Sequence, residues 1–102
     1  MSYNVLWSKE ASNSFEEIVT YIFYKWGSRA AEGFDRKVRQ VVQLLEIRPD
    51  SFQKVEGYPA CKKVLVTKQT YLFYQIEEEQ VVLLYFWETA RDPEKLRSIL
   101  GS

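Results

Sequence analysis

Apolar residues recur at three- and four-residue steps through the first half of the chain and alternate with polar ones through the second half. Helices are therefore predicted first and strands afterwards. A short alternating stretch, "YNVLW", precedes the helices and reads as an opening strand with Tyr3, Val5 and Trp7 on one side. Ser8 is placed to cap a helix running through about Lys25, with Glu10 in its first turn, where a carboxylate suits the unpaired N–H groups. Phe15, Ile18, Val19, Ile22 and Trp26 form one apolar stripe on that helix. Gly27 ends it and Ser28 is expected to cap the next, whose stripe is Ala30, Phe34, Val38, Val41, Val42 and Leu45 and which Pro49 stops. Two amphipathic helices joined this tightly predict an antiparallel hairpin.

Residues 50 to 60 are mixed and turn-rich, and read as a loop. Three strands follow, near 62–67, 70–77 and 80–87, with turns at Lys68-Gln69 and Glu78-Glu79. If both turns are two-residue hairpins, register places Lys62, Val64, Val66, Tyr71, Phe73, Gln75, Val82, Leu84 and Phe86 on one face. The other face then carries Lys63, Leu65, Leu72, Tyr74, Ile76, Val81, Leu83, Tyr85 and Trp87. The last strand is apolar on both faces, which predicts an interior position. The order β-α-α-β-β-β predicts an α+β domain over residues 1–102, a helical hairpin packed on a twisted antiparallel sheet.

Composition narrows the chemistry. Hydrophobic residues make up 46% of the 102 and aromatics 16%, ample for a packed interior. Lys+Arg and Asp+Glu both count 14, so any attraction to nucleic acid must be local. Histidine is absent, which excludes Ser-His-Asp and Cys-His catalysis and His-ligated zinc. A single cysteine, Cys61, excludes CxxC redox chemistry and an internal disulfide, and the four glycines are too scattered for a phosphate-cradling loop. No cofactor or metal is expected. With no signal-like opening and no apolar run of the ~20 residues a membrane span needs, the expected setting is the cytoplasm, without membrane contact.

Three stretches carry a resemblance. "WSKEASNSFEEIVTYI", "LFYQIEEEQVVLLYFW" and "ARDPEKL", in this order, resemble the RelE/ParE family of small toxins, the toxic halves of bacterial toxin–antitoxin pairs. The likeness spans nearly the whole chain. It implies a cognate antitoxin as partner and a role in growth arrest or plasmid maintenance. RelE-like members cut messenger RNA inside the ribosome, and ParE-like members inhibit DNA gyrase. The long helical hairpin and the "ARDP" ending look closer to the ParE branch, implying gyrase as target. The alternatives are a RelE-like ribosome-dependent endoribonuclease and an inactive homologue that serves only as an antitoxin-binding module.

The resemblance also selects candidate residues. Arg91 matches the position beyond the last long strand where RelE-like ribonucleases keep an arginine at the scissile phosphate, and a guanidinium fork suits phosphate or carboxylate. Lys62 matches a family lysine on the expected active face, while Val64 stands where a second lysine belongs. Tyr71 stands where a second arginine belongs, and Arg97 lies about where the C-terminal tyrosine is kept. Arg91, Lys62 and Tyr71 are thus the candidate target-contact or active-face residues. The missing cations count against RNA cleavage, which needs a base for the 2′-hydroxyl and positive charge at the phosphate.

The remaining polar and aromatic groups have structural readings. Lys54, Lys62, Lys63 and Lys68 form a basic patch that reads as a lysine-protected strand edge, and Glu77, Glu78 and Glu79 form a solvated turn. Tyr21, Tyr24 and Trp26 are expected to pack at the core and its rim, with anchoring of a partner as the alternative. Cys61 reads as a small inert residue at the start of a strand.

Overall fold

The computed structural model describes residues 2–89 and Leu100. Strand β1 (Asn4–Trp7) leads into helices α1 (Lys9–Trp26) and α2 (Ser28–Ile47), then a single 3-10 turn, Pro49–Ser51. Strands β2 (Gln53–Val55), β3 (Tyr58–Thr67), β4 (Thr70–Glu77) and β5 (Gln80–Glu88) follow. The fold is α+β, two helices on one face of a five-stranded sheet of order β1-β5-β4-β3-β2.

Local chemistry accounts for the helix ends. Ser8 is extended, and its hydroxyl accepts the Ala11 N–H at 3.0 Å, so α1 starts one residue after the expected cap. Gly27 has φ 96°, a conformation that side chains strongly disfavour. It closes α1 by donating its N–H to the Phe23 carbonyl at 2.9 Å and also precedes α2 directly. Ser28 therefore falls inside α2, and no side chain caps that helix. Both helices turn their stripes onto the sheet, where Ala11, Ile18, Phe34, Val38 and Leu45 pack against Leu72, Tyr74, Val81, Leu83 and Phe86. Each such large side chain contributes roughly 1.5–3 kcal/mol by leaving water.

The sheet departs from the expected one in three ways. First, it is mixed: β1 runs parallel to β5, pairing Val5 with Val81 and Trp7 with Leu83, and so places β5 in the interior. Second, the segment read as loop contains β2, which pairs Gln53 with Lys63 and Lys54 with Lys62. Its mixed polarity is that of an edge strand with little to bury, and Gly57, at φ 85°, makes the turn into β3. Third, register shifts interrupt both hairpins. Thr67 pairs with Thr70 as a two-residue turn requires, but Leu65 pairs with Tyr71, leaving Val66 as an extra residue. Likewise Tyr74 pairs with Leu83 and Phe73 with Tyr85, leaving Leu84 extra.

Those two bulges redistribute the faces. Lys62, Val64 and Val66 share the helix side with Leu72 and Tyr74, not with Tyr71 and Phe73, and Phe86 joins them. Tyr85 and Trp87 lie on the reverse face with Tyr71 and Phe73. Beyond the end of β1, the free edge of β5 is completed by α1. Ser8 donates its N–H to the Leu83 carbonyl at 3.1 Å and its hydroxyl to the Leu84 carbonyl at 3.2 Å. Ser14, buried, donates its hydroxyl to the Ala11 carbonyl and accepts the Phe86 N–H at 2.9 Å.

Candidate functional site

The reverse face of the sheet carries the candidate site. Cross-strand pairing arranges it in three rows: Leu65–Tyr71–Trp87, Lys63–Phe73–Tyr85 and Cys61–Gln75–Val82. Cys61, Phe73 and Trp87 form a buried floor, against which Val55, Tyr58, Leu84 and Leu100 pack. Tyr71 and Phe73 lie 6.3 Å apart between ring centroids, and Tyr85 and Trp87 lie 6.0 Å apart, within the range of attractive aromatic pairs. Lys63 reaches diagonally so that its Nζ stands 4.9 Å from the centre of the Tyr71 ring. Leu65, 48% exposed, extends the row toward solvent.

Of the sequence candidates, the two within the described residues, Tyr71 and Lys62, lie on opposite faces. Tyr71 lies on it, half-buried, with Lys63 beside it. Lys62 lies on the opposite face, its Nζ donating to the Phe52 carbonyl at 3.1 Å. It acts there with Tyr74, whose buried hydroxyl donates to the Pro49 carbonyl at 2.7 Å, to fasten the 3-10 turn to the sheet. Val64, where the resemblance implies a second lysine, is buried in the helix-side core. Arg91 and Arg97 lie outside the described residues. Reading the strands without gaps put Lys62 on the face of Tyr71, where the structure has Lys63, because the Val66 bulge has no signature in the alternation of residues.

Acid–base resources on the reverse face are sparse. Its three rows hold no carboxylate. Burial pushes the Cys61 thiol up to about 11, so it is protonated at neutral pH and a poor nucleophile. The Tyr74 hydroxyl, on the other face, is raised further by burial and by the Asp50 carboxylate. The row Lys63–Phe73–Tyr85 with Tyr71 is suited to contact: flat apolar rings, phenolic hydroxyls and one held cation. The basic patch read from the sequence is split, because Lys62 and Lys63, adjacent in β3, point to opposite faces while Lys54 lies on the edge strand.

The end of α1 also differs from expectation. Tyr24 is 82% and Trp26 67% exposed, and Tyr21 and Phe23 are exposed too, so these rings are surface and not core. Lys25 donates to the Tyr21 hydroxyl at 2.9 Å, which raises its pKa. Its Nζ lies 5.3 Å from the Tyr21 ring centre and 5.6 Å from that of Trp26.

Comparison with known proteins gives a consistent picture. A family model described as "ParE toxin of type II toxin-antitoxin system, parDE" matches residues 5–93. None of the curated proteins matches the chain. Among solved structures, a chain of the chromosomal ParDE toxin–antitoxin system of P. aeruginosa superposes with a TM-score of 0.73 at 10% identity, over 85% of this chain and 96% of that one. A mutant of the E. coli toxin RelE in the free state gives 0.59 at 19% identity, over 99% and 96%. A chain of the E. coli DinJ–YafQ toxin–antitoxin complex gives 0.62 at 11% identity, over 88% and 96%. At these identities the superpositions establish the shared fold. Among the described residues, no helix is long and apolar enough to cross a membrane.

Proposed function

Because the chain belongs to the ParE toxin family of type II toxin–antitoxin systems, we propose that it arrests growth by binding DNA gyrase and that a cognate antitoxin neutralises it. The observation that carries the choice of target is the scarcity of charged groups on the reverse face, whose rows place Lys63 alone beside Tyr71. Cleavage of RNA without a metal needs a base at the 2′-hydroxyl and several cations around the phosphate. The rows of the reverse face supply one lysine, Lys63, and no carboxylate, and the chain has no histidine. Zero net charge argues in the same direction, since docking into ribosomal RNA draws on a strongly basic surface.

In this reading Tyr71, Lys63 and exposed Leu65 contribute to the target interface, and Arg91 adds a guanidinium contact to it. Lys62 serves stability, through Phe52. The antitoxin is the occupant of the apolar surface on the helical hairpin, as coupled folding of a peptide segment onto a groove would allow. The test is induction of the gene alone and together with the reading frame beside it. Growth arrest relieved by the neighbour, with plasmid DNA from arrested cells relaxed and messenger RNA intact, is the expected outcome. Arrest accompanied by codon-phased breaks in messenger RNA and unchanged plasmid topology would transfer the assignment to the ribosome-dependent ribonucleases. Absence of any arrest would leave a binding module.

A further inference from the structure

The two edges of the sheet are built differently. Strand β2 is three residues long, carries Lys54, and shifts register against β3 between Lys54 and Val55. A short strand, a lysine and a bulge all discourage an edge from pairing with another chain. Strand β1, "NVLW", has no charge and no proline, and its register against β5 is unbroken. Leu6 and Trp7 on it are 45% and 40% exposed. We propose that β1 is a self-association edge, at which two copies of the chain pair antiparallel about Leu6 and their sheets join into one. Neither the target nor the antitoxin reading above is needed for it.

Backbone geometry supplies the bonds. Asn4 donates its N–H to the Glu79 carbonyl and Ser8 to the Leu83 carbonyl, so the even-numbered residues of β1 bond toward β5. In a parallel ladder the alternate residues bond the other way, and the N–H and C=O groups of Val5 and Trp7 point out of the sheet. Among the described residues, no backbone group bonds them. With Leu6 opposite its own counterpart, Val5 of one copy falls opposite Trp7 of the other, and each such pair exchanges both N–H···O bonds. A two-fold axis through Leu6 makes the edge its own complement.

Side chains agree with this pairing. Val5 packs on the helix-side core, and the Trp7 ring lies 5.5 Å between centroids from both Phe15 and Phe86. Pairing sets Val5 of the second copy against that indole, which borders a hollow of about 350 Å³ lined also by Phe15, Val38 and Val42. An aromatic ring opposite a β-branched side chain is a favourable cross-strand pair. On the reverse face the two Leu6 side chains meet, at the closer spacing of a pair without hydrogen bonds. Charge also selects a second copy. The same register carries the start of α1, with Lys9, toward Tyr3 of the other copy, whose N–H is held by the Glu46 carbonyl at 2.7 Å. Within one chain, a lysine in the first turn opposes the dipole of α1; across the axis, Glu46 offsets it. The chain carries no net charge, so two copies do not repel one another at long range.

Sedimentation equilibrium of the purified full chain over a concentration series is expected to show monomer and dimer in exchange. The joint is short beside the roughly 800 Å² per partner of a standard interface, so a dissociation constant in the micromolar range is expected. Leu6→Lys sets like charges opposite each other and should raise that constant at least about tenfold. Leu65→Lys, the same change at a similarly exposed leucine on β3, should leave it unchanged. Lys9→Glu and Glu46→Lys should each weaken the dimer, and mixing the two variants should restore it. Circular dichroism confirms that each variant is folded. Hydrogen exchange followed by NMR should show the Val5 and Trp7 amides slowing as concentration rises, while the Leu6 amide is protected throughout. A chain monomeric at every concentration would overturn the proposal, as would a dimer that Leu6→Lys leaves intact or Leu65→Lys abolishes. Protection of the Val5 and Trp7 amides only on adding the product of the neighbouring reading frame would assign the edge to the antitoxin and likewise overturn it.

Discussion

Replacing Ser14 with alanine removes the acceptor that the Phe86 N–H reaches at 2.9 Å, in a position where Ser14 is 3% exposed and Phe86 1%. Water cannot take the place of the hydroxyl without repacking of the interface between α1 and β5. A buried N–H left without a partner costs about 1–3 kcal/mol. Alanine recovers up to about 0.7 kcal/mol through its better helix propensity, so a net loss of roughly 1–2 kcal/mol is expected. For a domain of this size that corresponds to a fall in Tm of roughly 5–15 °C. Urea denaturation followed by circular dichroism reads the loss as a lower midpoint with an unchanged slope. Ser28→Ala is the control: that serine is exposed and its side chain caps nothing, so a change within about 0.5 kcal/mol is expected. Equal midpoints for Ser14→Ala and Ser28→Ala would refute the claim that α1 completes the edge of β5.

Tyr74→Phe deletes the hydroxyl held at 2.7 Å from the Pro49 carbonyl and should lower stability by about 1–2 kcal/mol, read by the same denaturation. Gly27→Ala forces a Cβ into φ 96° at the junction of the helices and should lower it by about 1–3 kcal/mol, although no atom obstructs the new methyl group. Alkaline pH should destabilise the fold through Cys61, whose thiol is raised by burial from 9.0 to about 11. The folded state holds that proton longer than the unfolded chain, so the contribution is complete below about pH 9 and is lost as pH climbs toward 11. A melting temperature that rises across that window would contradict the burial of Cys61, as would rapid alkylation of the native thiol at pH 9.

Periodicity reached far into this fold, and its failures have identifiable physical origins. The two helices, their stripes and the tight junction at Gly27 follow from local spacing and capping, which act within a few residues. The parallel pairing of β1 with β5 joins residues some 76 positions apart, as Ser8 and Leu84 are, and nothing local specifies it. The bulges at Val66 and Leu84 shift register without altering composition, because β5 is apolar on both faces and either facing would bury large side chains. One residue of slip put Lys63 where Lys62 was expected, beside Tyr71, which is why the facing of the candidate residues was the least legible part. Trp26 continued the apolar spacing of α1 past the point where the sheet ends, and so emerged at the surface.

The most direct test of the proposed target is a pair of assays on the purified chain, supercoiling by DNA gyrase and translation-coupled cleavage of messenger RNA. Wild type is expected to inhibit supercoiling and to leave translated RNA uncut. Lys63→Ala and Arg91→Ala should shift the inhibition to higher concentration, while Lys62→Ala, once shown to be folded, should inhibit like wild type. Codon-phased cleavage by wild type with supercoiling untouched would contradict the account and make Arg91 a candidate catalytic residue of a ribonuclease.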